Sequence, residues 1–249
     1  MAKAPLGVLI IHGFTASLDC VRPIQAGLAP LGLPTRMPVL RGHGAPSPEA
    51  LRDVVWQDWV EDGEAALQDL LTEAERVIIV GHSMGTLVTI TLAAEHADDG
   101  VLDSLVLAAP AVYMTSPVAP GHSLAFLRPL ARLLMRRYDM PPNYADKSLE
   151  QYDTNYPWAP ISAVQQFLNF TQAARARLPE VTAPLLVLQS RNDTTVDPRS
   201  ADIVIAETGT PSAEKRIAWF QETEHEMFRD CEREAAVATV VHWVQGRAR

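Results

Sequence analysis

The chain has 249 residues, 47% of them hydrophobic and 20% charged, with a formal net charge of -9. That length suits one α/β domain built on a single core, and the composition argues against both a disordered chain and a membrane protein. The negative charge disfavours nucleic acid and anionic lipid surfaces as partners, because like charges repel.

The opening MAKAPLGVLIIHG carries one lysine and a short apolar run, with neither a small-residue cleavage site nor a span of transmembrane length. A cytoplasmic protein with no integral membrane segment is therefore expected. Cys20 and Cys231 lie too far apart in sequence to suggest a disulfide framework or a metal-ligand spacing, and are expected as buried or partly buried free thiols.

Six short apolar or β-branched runs, bounded by Gly, Pro or charge, predict strands at 7–11, 35–39, 77–80, 104–108, 185–189 and 216–219. Between them, apolar residues at three- and four-residue intervals predict helices at 21–31, 56–74, 84–95, 201–207 and 232–244. Strand and helix alternate, the pattern of a mostly parallel sheet of about six or seven strands flanked by helices. The stretch from about 112 to 178 breaks the rhythm. It is rich in Pro, Tyr and Phe, has an amphipathic piece at 124–138 and no clear strand, and is expected to be a small helical cap inserted into a single domain spanning 1–249.

Gly81-His82-Ser83-Met84-Gly85 stands directly after the third apolar run and directly before the third helix. A nucleophilic serine needs this setting: a sharp strand-to-helix turn presents the hydroxyl, and glycines on either side leave room for the turn. His12-Gly13-Phe14 ends the first strand, where a loop can offer a backbone N–H toward the serine. Acyl transfer builds negative charge on a carbonyl oxygen, so the N–H groups of Phe14 and Met84 are the candidate oxyanion donors.

Through Ile11-His12-Gly13-Phe14, Arg41-Gly42-His43-Gly44 and Gly81–Gly85 the chain resembles the α/β-hydrolase family, and within it the small carboxylesterase and monoacylglycerol lipase branch, over nearly its whole length. The resemblance implies a triad in the order serine, acid, histidine, with the last two in loops after late strands and a cap over the serine. Carried onto this chain, those positions are Ser83, Asp193 and His225; Asp197 is the rival acid, but its place before Pro198 explains it adequately as a helix cap, so Asp193 is the expected acid. It also implies no cofactor. No metal-ligand pattern is visible, and a serine nucleophile argues against carboxylate-based dehalogenase and epoxide-hydrolase chemistry.

The expected activity is hydrolysis of short- to medium-chain carboxylic esters, monoacylglycerols among them, with a small-molecule ester as partner. Thioester or amide hydrolysis by the same triad, and a binding member without turnover, are the alternatives. Leu124, Phe126, Leu127, Tyr138, Tyr156, Trp158, Phe167 and Phe170 are candidates to line the acyl pocket. His82 is expected beneath the serine turn and His43 as an organiser of its own loop, and Glu222, Glu224 and Glu226 are expected on a solvated loop face. The antiparallel strands that usually open the family fold are missing, so a minimal sheet is expected.

Overall fold

The computed structural model describes residues 3–127 and 134–248. All six predicted strands are present and join into one sheet in the order β2-β1-β3-β4-β7-β8, every neighbouring pair parallel. The strands are β1 (Ala4–Ile11), β2 (Thr35–Arg36), β3 (Ala74–His82), β4 (Leu102–Ala108), β7 (Leu185–Ser190) and β8 (Lys215–Phe220).

Apolar residues on both faces explain why these strands form the middle of the molecule. In β1, Leu9 and Ile11 pack into one core with Ile79 and Leu105, while Val8 and Ile10 pack into a second with Ile78 and Val106. Each core is closed by helices. The first takes α2 (Trp56–Leu70), α3 (Met84–Glu95), α4 (Ile161–Ala176) and α5 (Arg199–Glu207), and the second takes α1 (Arg22–Leu28) and α6 (Arg233–Arg247).

Departures from the sequence expectation have local causes. Strand β2 pairs over two residues instead of five, because Pro38 cannot donate to a ladder and Val39 turns out to 50% exposure. Helix α2 stops at Leu70, leaving Ala74 to start β3, and α1 ends at Leu28, where a 3-10 turn (Ala29–Leu31) takes over. Cys20 is buried as expected, but Cys231 is exposed.

Between β4 and β7 the chain contains more regular structure than expected. Strands β5 (Arg137–Asp139) and β6 (Trp158–Pro160) form an antiparallel pair, with Tyr138 opposite Ala159. Of the amphipathic piece at 124–138, residues 128–133 lie outside the described residues; Ala125–Leu127 is a 3-10 turn and the end of the piece is β5. Helix α4 then buries Ala163, Phe167, Phe170 and Ala174, three or four residues apart. Through Phe170 it stacks on Trp56, ring centroids 4.9 Å apart, so this segment is anchored on the sheet-covering layer.

Candidate active site

The loops at the C-terminal ends of β1, β3, β7 and β8 meet over the sheet, and the sequence-predicted residues sit in them. Ser83 stands between the end of β3 and the start of α3 with φ 53° and ψ -119°, a backbone conformation that a side chain ordinarily avoids. The surroundings hold it there. Its N–H donates to the carbonyl of Ala108 at 2.9 Å, and its carbonyl accepts from the Thr86 hydroxyl at 2.6 Å.

The glycines of the turn are needed for close approach. A Cβ on Gly81 would come within 2.5 Å of the Gly85 carbonyl oxygen, and one on Gly85 would collide with the carbonyl of Ile11 and lie 2.8 Å from that of His12. All of these obstacles are backbone, so no rotamer change relieves them. Gly85→Ala is therefore expected to separate α3 from β1, lowering the melting temperature and costing at least about 3 kcal/mol by urea titration; a variant as stable as the parent would show that the turn can relax.

His225 lies after β8 and Asp193 after β7. The Ser83 hydroxyl donates to His225 Nε2 at 2.9 Å, and His225 Nδ1–H donates to Asp193 Oδ2 at 3.0 Å. Asp193 Oδ1 accepts from the N–H groups of Thr195 and Val196, each at 2.9 Å, which fixes the carboxylate with its second oxygen toward the imidazole. Burial alone would push the Asp193 carboxyl up. The His225 imidazole and the two N–H donors outweigh it and hold the group below its ordinary range. For His225, burial works to lower the pKa, but the Asp193 carboxylate overrides it and raises the imidazole above its ordinary value. Asp197 is not in this chain of hydrogen bonds; it stands one residue ahead of the N-cap expected of it, which is Pro198, and its Oδ1 accepts from the Arg199 N–H at 2.9 Å while its carboxylate pairs with that side chain.

The supporting histidines are buried and neutral. His82 Nε2–H donates to the His225 carbonyl at 3.1 Å, tying the loop after β8 to the serine turn. His43 Nε2 accepts from the Thr15 N–H at 3.0 Å while its Nδ1–H reaches the carbonyls of Leu40 and Arg41, so it organises its own loop and the one after β1 together. Burial lowers the pKa of His82 to about 3 and that of His43 to about 3.

Two of the three glutamates around His225 are not on a solvated face. Glu222 is exposed, but Glu224 and Glu226 are 6% and 7% exposed. Glu224 bridges the two loops: Oε1 accepts from the N–H and hydroxyl of Thr194, and Oε2 accepts from the His225 N–H at 2.5 Å. Asp230 accepts from the N–H groups of Glu224, Ala145 and Asp146, at 2.7, 2.7 and 3.1 Å, and so binds the segment between β4 and β7 to the histidine loop.

One cavity opens at Ser83, and a larger one adjoins it. The first, of about 90 Å³, is lined by Ser83, His225, Phe14, Tyr156, Asn155 and Glu226. The second, of about 480 Å³, is mainly apolar, with walls that include Met114, Val118, Met135, Val164, Phe167 and Leu168, and shares Phe14, Met140 and Phe167 with the first. Of the expected lining residues, Tyr138, Tyr156 and Phe167 are on these walls. Phe126 is 72% exposed, Leu124 39% exposed, and Phe170 is fully buried in the core against Trp56 and Trp59. Phe14, one predicted oxyanion donor, stacks on Phe167 with centroids 5.0 Å apart, while Met84, the other, is the first residue of α3, where helix N–H groups have no internal acceptor.

Comparison with known proteins places this geometry in context. A thermostable monoacylglycerol lipase of Bacillus sp. (strain H-257) is 26% identical over 229 residues, covering 90% of this chain and 84% of the relative. A carboxylesterase of Bacillus subtilis (strain 168) is 23% identical over 239 residues, covering 96% of this chain and 92% of the relative. Among solved structures, one reported with the metagenome-derived lipolytic enzymes LipS and LipT superposes with a TM-score of 0.87 at 23% identity, covering 98% of this chain and 95% of the other. No helix among the described residues is long and apolar enough to cross a membrane. The model of the Hydrolase_4 family, described as serine aminopeptidase, S33, matches residues 3–232, and the chain belongs to this family of serine hydrolases with the α/β-hydrolase fold.

Proposed function

We propose that the protein hydrolyses carboxylic esters of short- to medium-chain acids, monoacylglycerols among them, through an acyl intermediate on Ser83. The observation that carries this reading is the unbroken hydrogen-bond chain from Ser83 Oγ through His225 to Asp193 at 2.9 and 3.0 Å, lining a small cavity that adjoins a larger apolar one. A serine hydroxyl is too weak an acid to attack unaided. His225 Nε2 takes its proton as Oγ bonds to the ester carbonyl carbon, and Asp193, kept ionised, stabilises the imidazolium that results.

The tetrahedral oxyanion would be held by the N–H groups of Phe14 and Met84, the latter at the positive end of α3. Collapse breaks the bond to the alcohol oxygen, which leaves with the proton from His225. Water then attacks the acyl-serine with His225 again as base, releasing the acid and restoring Ser83. The segment from about 112 to 178, inserted between β4 and β7, is the cap in this reading. Its Phe167 and Leu168 wall the acyl cavity, whose volume lies in the ordinary small-ligand range of about 300–1,000 Å³.

Two measurements test the reading. A fluorophosphonate probe is expected to add to one serine, found by peptide mass mapping in the segment containing Ser83; labelling elsewhere or nowhere would overturn it. Across p-nitrophenyl esters of increasing acyl length, kcat/KM is expected to rise with buried chain and then fall once the cavity is full.

A further inference from the structure

Glu226 brings to the Ser83 cavity a carboxyl group that the reaction above does not use. It follows His225 directly, is 7% exposed and lines the smaller cavity together with Ser83. Its Oε1 accepts from Asn155 Nδ2 at 3.0 Å. Its Oε2 is shut off from solvent and meets no donor among the described residues. A buried carboxyl oxygen without a partner is costly in a folded protein, and because Glu226 lines the reaction cavity, a turn of its side chain toward a ligand hydroxyl would supply the missing donor.

The groups around it are committed elsewhere. Arg229 donates to Asp153 Oδ1 at 3.2 Å and to the Tyr152 carbonyl at 2.5 Å, and Tyr144 donates its hydroxyl to the same Asp153 oxygen at 3.2 Å. Asn155 is fixed by the Ser17 N–H, which donates to its Oδ1 at 3.2 Å. Burial, with the nearby Asp153 carboxylate, raises the Glu226 pKa and favours its uncharged form. With burial working against its charged form, this carboxyl beside a carboxamide suits the O–H of an uncharged group better than a cation.

Geometry also says which part of the substrate would meet it. The imidazole that protonates the departing oxygen must face the alcohol side of the ester, and Glu226 lies on the wall next to that imidazole. The large apolar cavity on the other side of Phe14 and Phe167 suits the acyl chain. Resting on the assignment of Ser83 as nucleophile, we propose that Glu226, held by Asn155, accepts or shares a hydrogen bond with a free hydroxyl on the leaving alcohol and so selects monoesters of diols and polyols over esters of simple alkanols.

The test compares three butanoate esters on the intact protein: 1-monobutanoylglycerol, propyl butanoate, which lacks the hydroxyls, and butanoylcholine, which carries a cation. The expected kcat/KM for the glycerol ester exceeds that for the propyl ester about tenfold or more, since a site built to bond a hydroxyl rejects the analogue lacking it. In Glu226→Leu this ratio is expected to fall about tenfold, and in Glu226→Gln to remain largely in place. Using a ratio removes any general loss of activity. If Glu226→Leu does not fold, the wild type still decides: glycerol should intercept the acyl-enzyme more efficiently than 1-propanol at equal concentration. Equal rates for the glycerol and propyl esters, a ratio unchanged in Glu226→Leu, no advantage of glycerol over propanol, or preference for the choline ester would each overturn the proposal. No hydrolysis of any of the three would overturn the ester-hydrolase reading itself and this inference with it.

Discussion

Replacing Ser83 with alanine is expected to lower kcat for ester hydrolysis by about 10⁶-fold while leaving the protein folded. The size follows from removing the atom that bonds to the substrate: what remains is water attack helped by the N–H donors and the cavity, which retain about 10³–10⁴-fold over the uncatalysed rate. Stability should move little, because alanine fills the same space and loses one hydrogen bond, to His225 Nε2, worth about 1 kcal/mol. Glycine at this position separates the two roles of the residue. Ser83→Gly is equally inactive, but it occupies φ 53° without the Cβ penalty and is expected to gain up to about 1–2 kcal/mol over Ser83→Ala in urea titration. Residual ester hydrolysis within about tenfold of the parent in either variant would remove Ser83 from the mechanism.

The meeting of Ser83, Asp193 and His225 was legible because each sits at a boundary that the sequence marks. An apolar run ends, a glycine or polar cluster follows, and the residue lies in the turn: Gly81 to Gly85 after β3, Asp193 after β7, His225 after β8. Such boundaries depend on local punctuation, and the parallel strands then bring their C-terminal ends to the same end of the sheet. The role of Asp197 was equally local, since a carboxylate two residues ahead of a helix start has the first helical N–H to accept from.

The burial of Glu224 and Glu226 was not legible, for the opposite reason. Two glutamates flanking a histidine read as a charged loop, and what covers them comes from far along the chain: Asn155 reaches Glu226, Thr194 reaches Glu224, and the N–H groups of Ala145 and Asp146 anchor on Asp230. Nothing in the spacing of the segment from 112 to 178 announces where it will fold back. Helix α4 and the β5–β6 pair were hidden in the same segment, whose Pro and aromatic content masks a helical repeat that packing of Phe167 and Phe170 makes plain. That Phe126 stands in solvent and Phe170 in the core likewise depends on which face of the segment meets Trp56 and Trp59.

Asp193→Asn is expected to cost about 10⁴-fold in kcat and, at the same time, to shift the pH profile in a direction that a merely structural loss would not produce. The rate falls because an asparagine amide can donate to His225 Nδ1, which leaves the proton on Nε2, where it cannot accept from Ser83. The sign of the pH shift follows from what sets the imidazole pKa. His225 must be neutral to act as base, so kcat/KM rises with pH and is half-maximal at its pKa in the free enzyme. In the parent, the Asp193 carboxylate overrides burial and raises that pKa above the ordinary 6.5, so the acid limb should lie above pH 6.5. Without the carboxylate charge, burial dominates and favours the neutral ring, as it does at the neighbouring His82, whose pKa is lowered. The acid limb of the variant should therefore move to lower pH, leaving a slower enzyme whose relative activity persists further into acid. Asp197→Asn serves as the contrast: it loosens the start of α5 and its pair with Arg199, and should leave the limb in place. A profile for Asp193→Asn that scales down without moving would mean that residue 193 does not set the charge on His225, and the acid would have to be sought elsewhere.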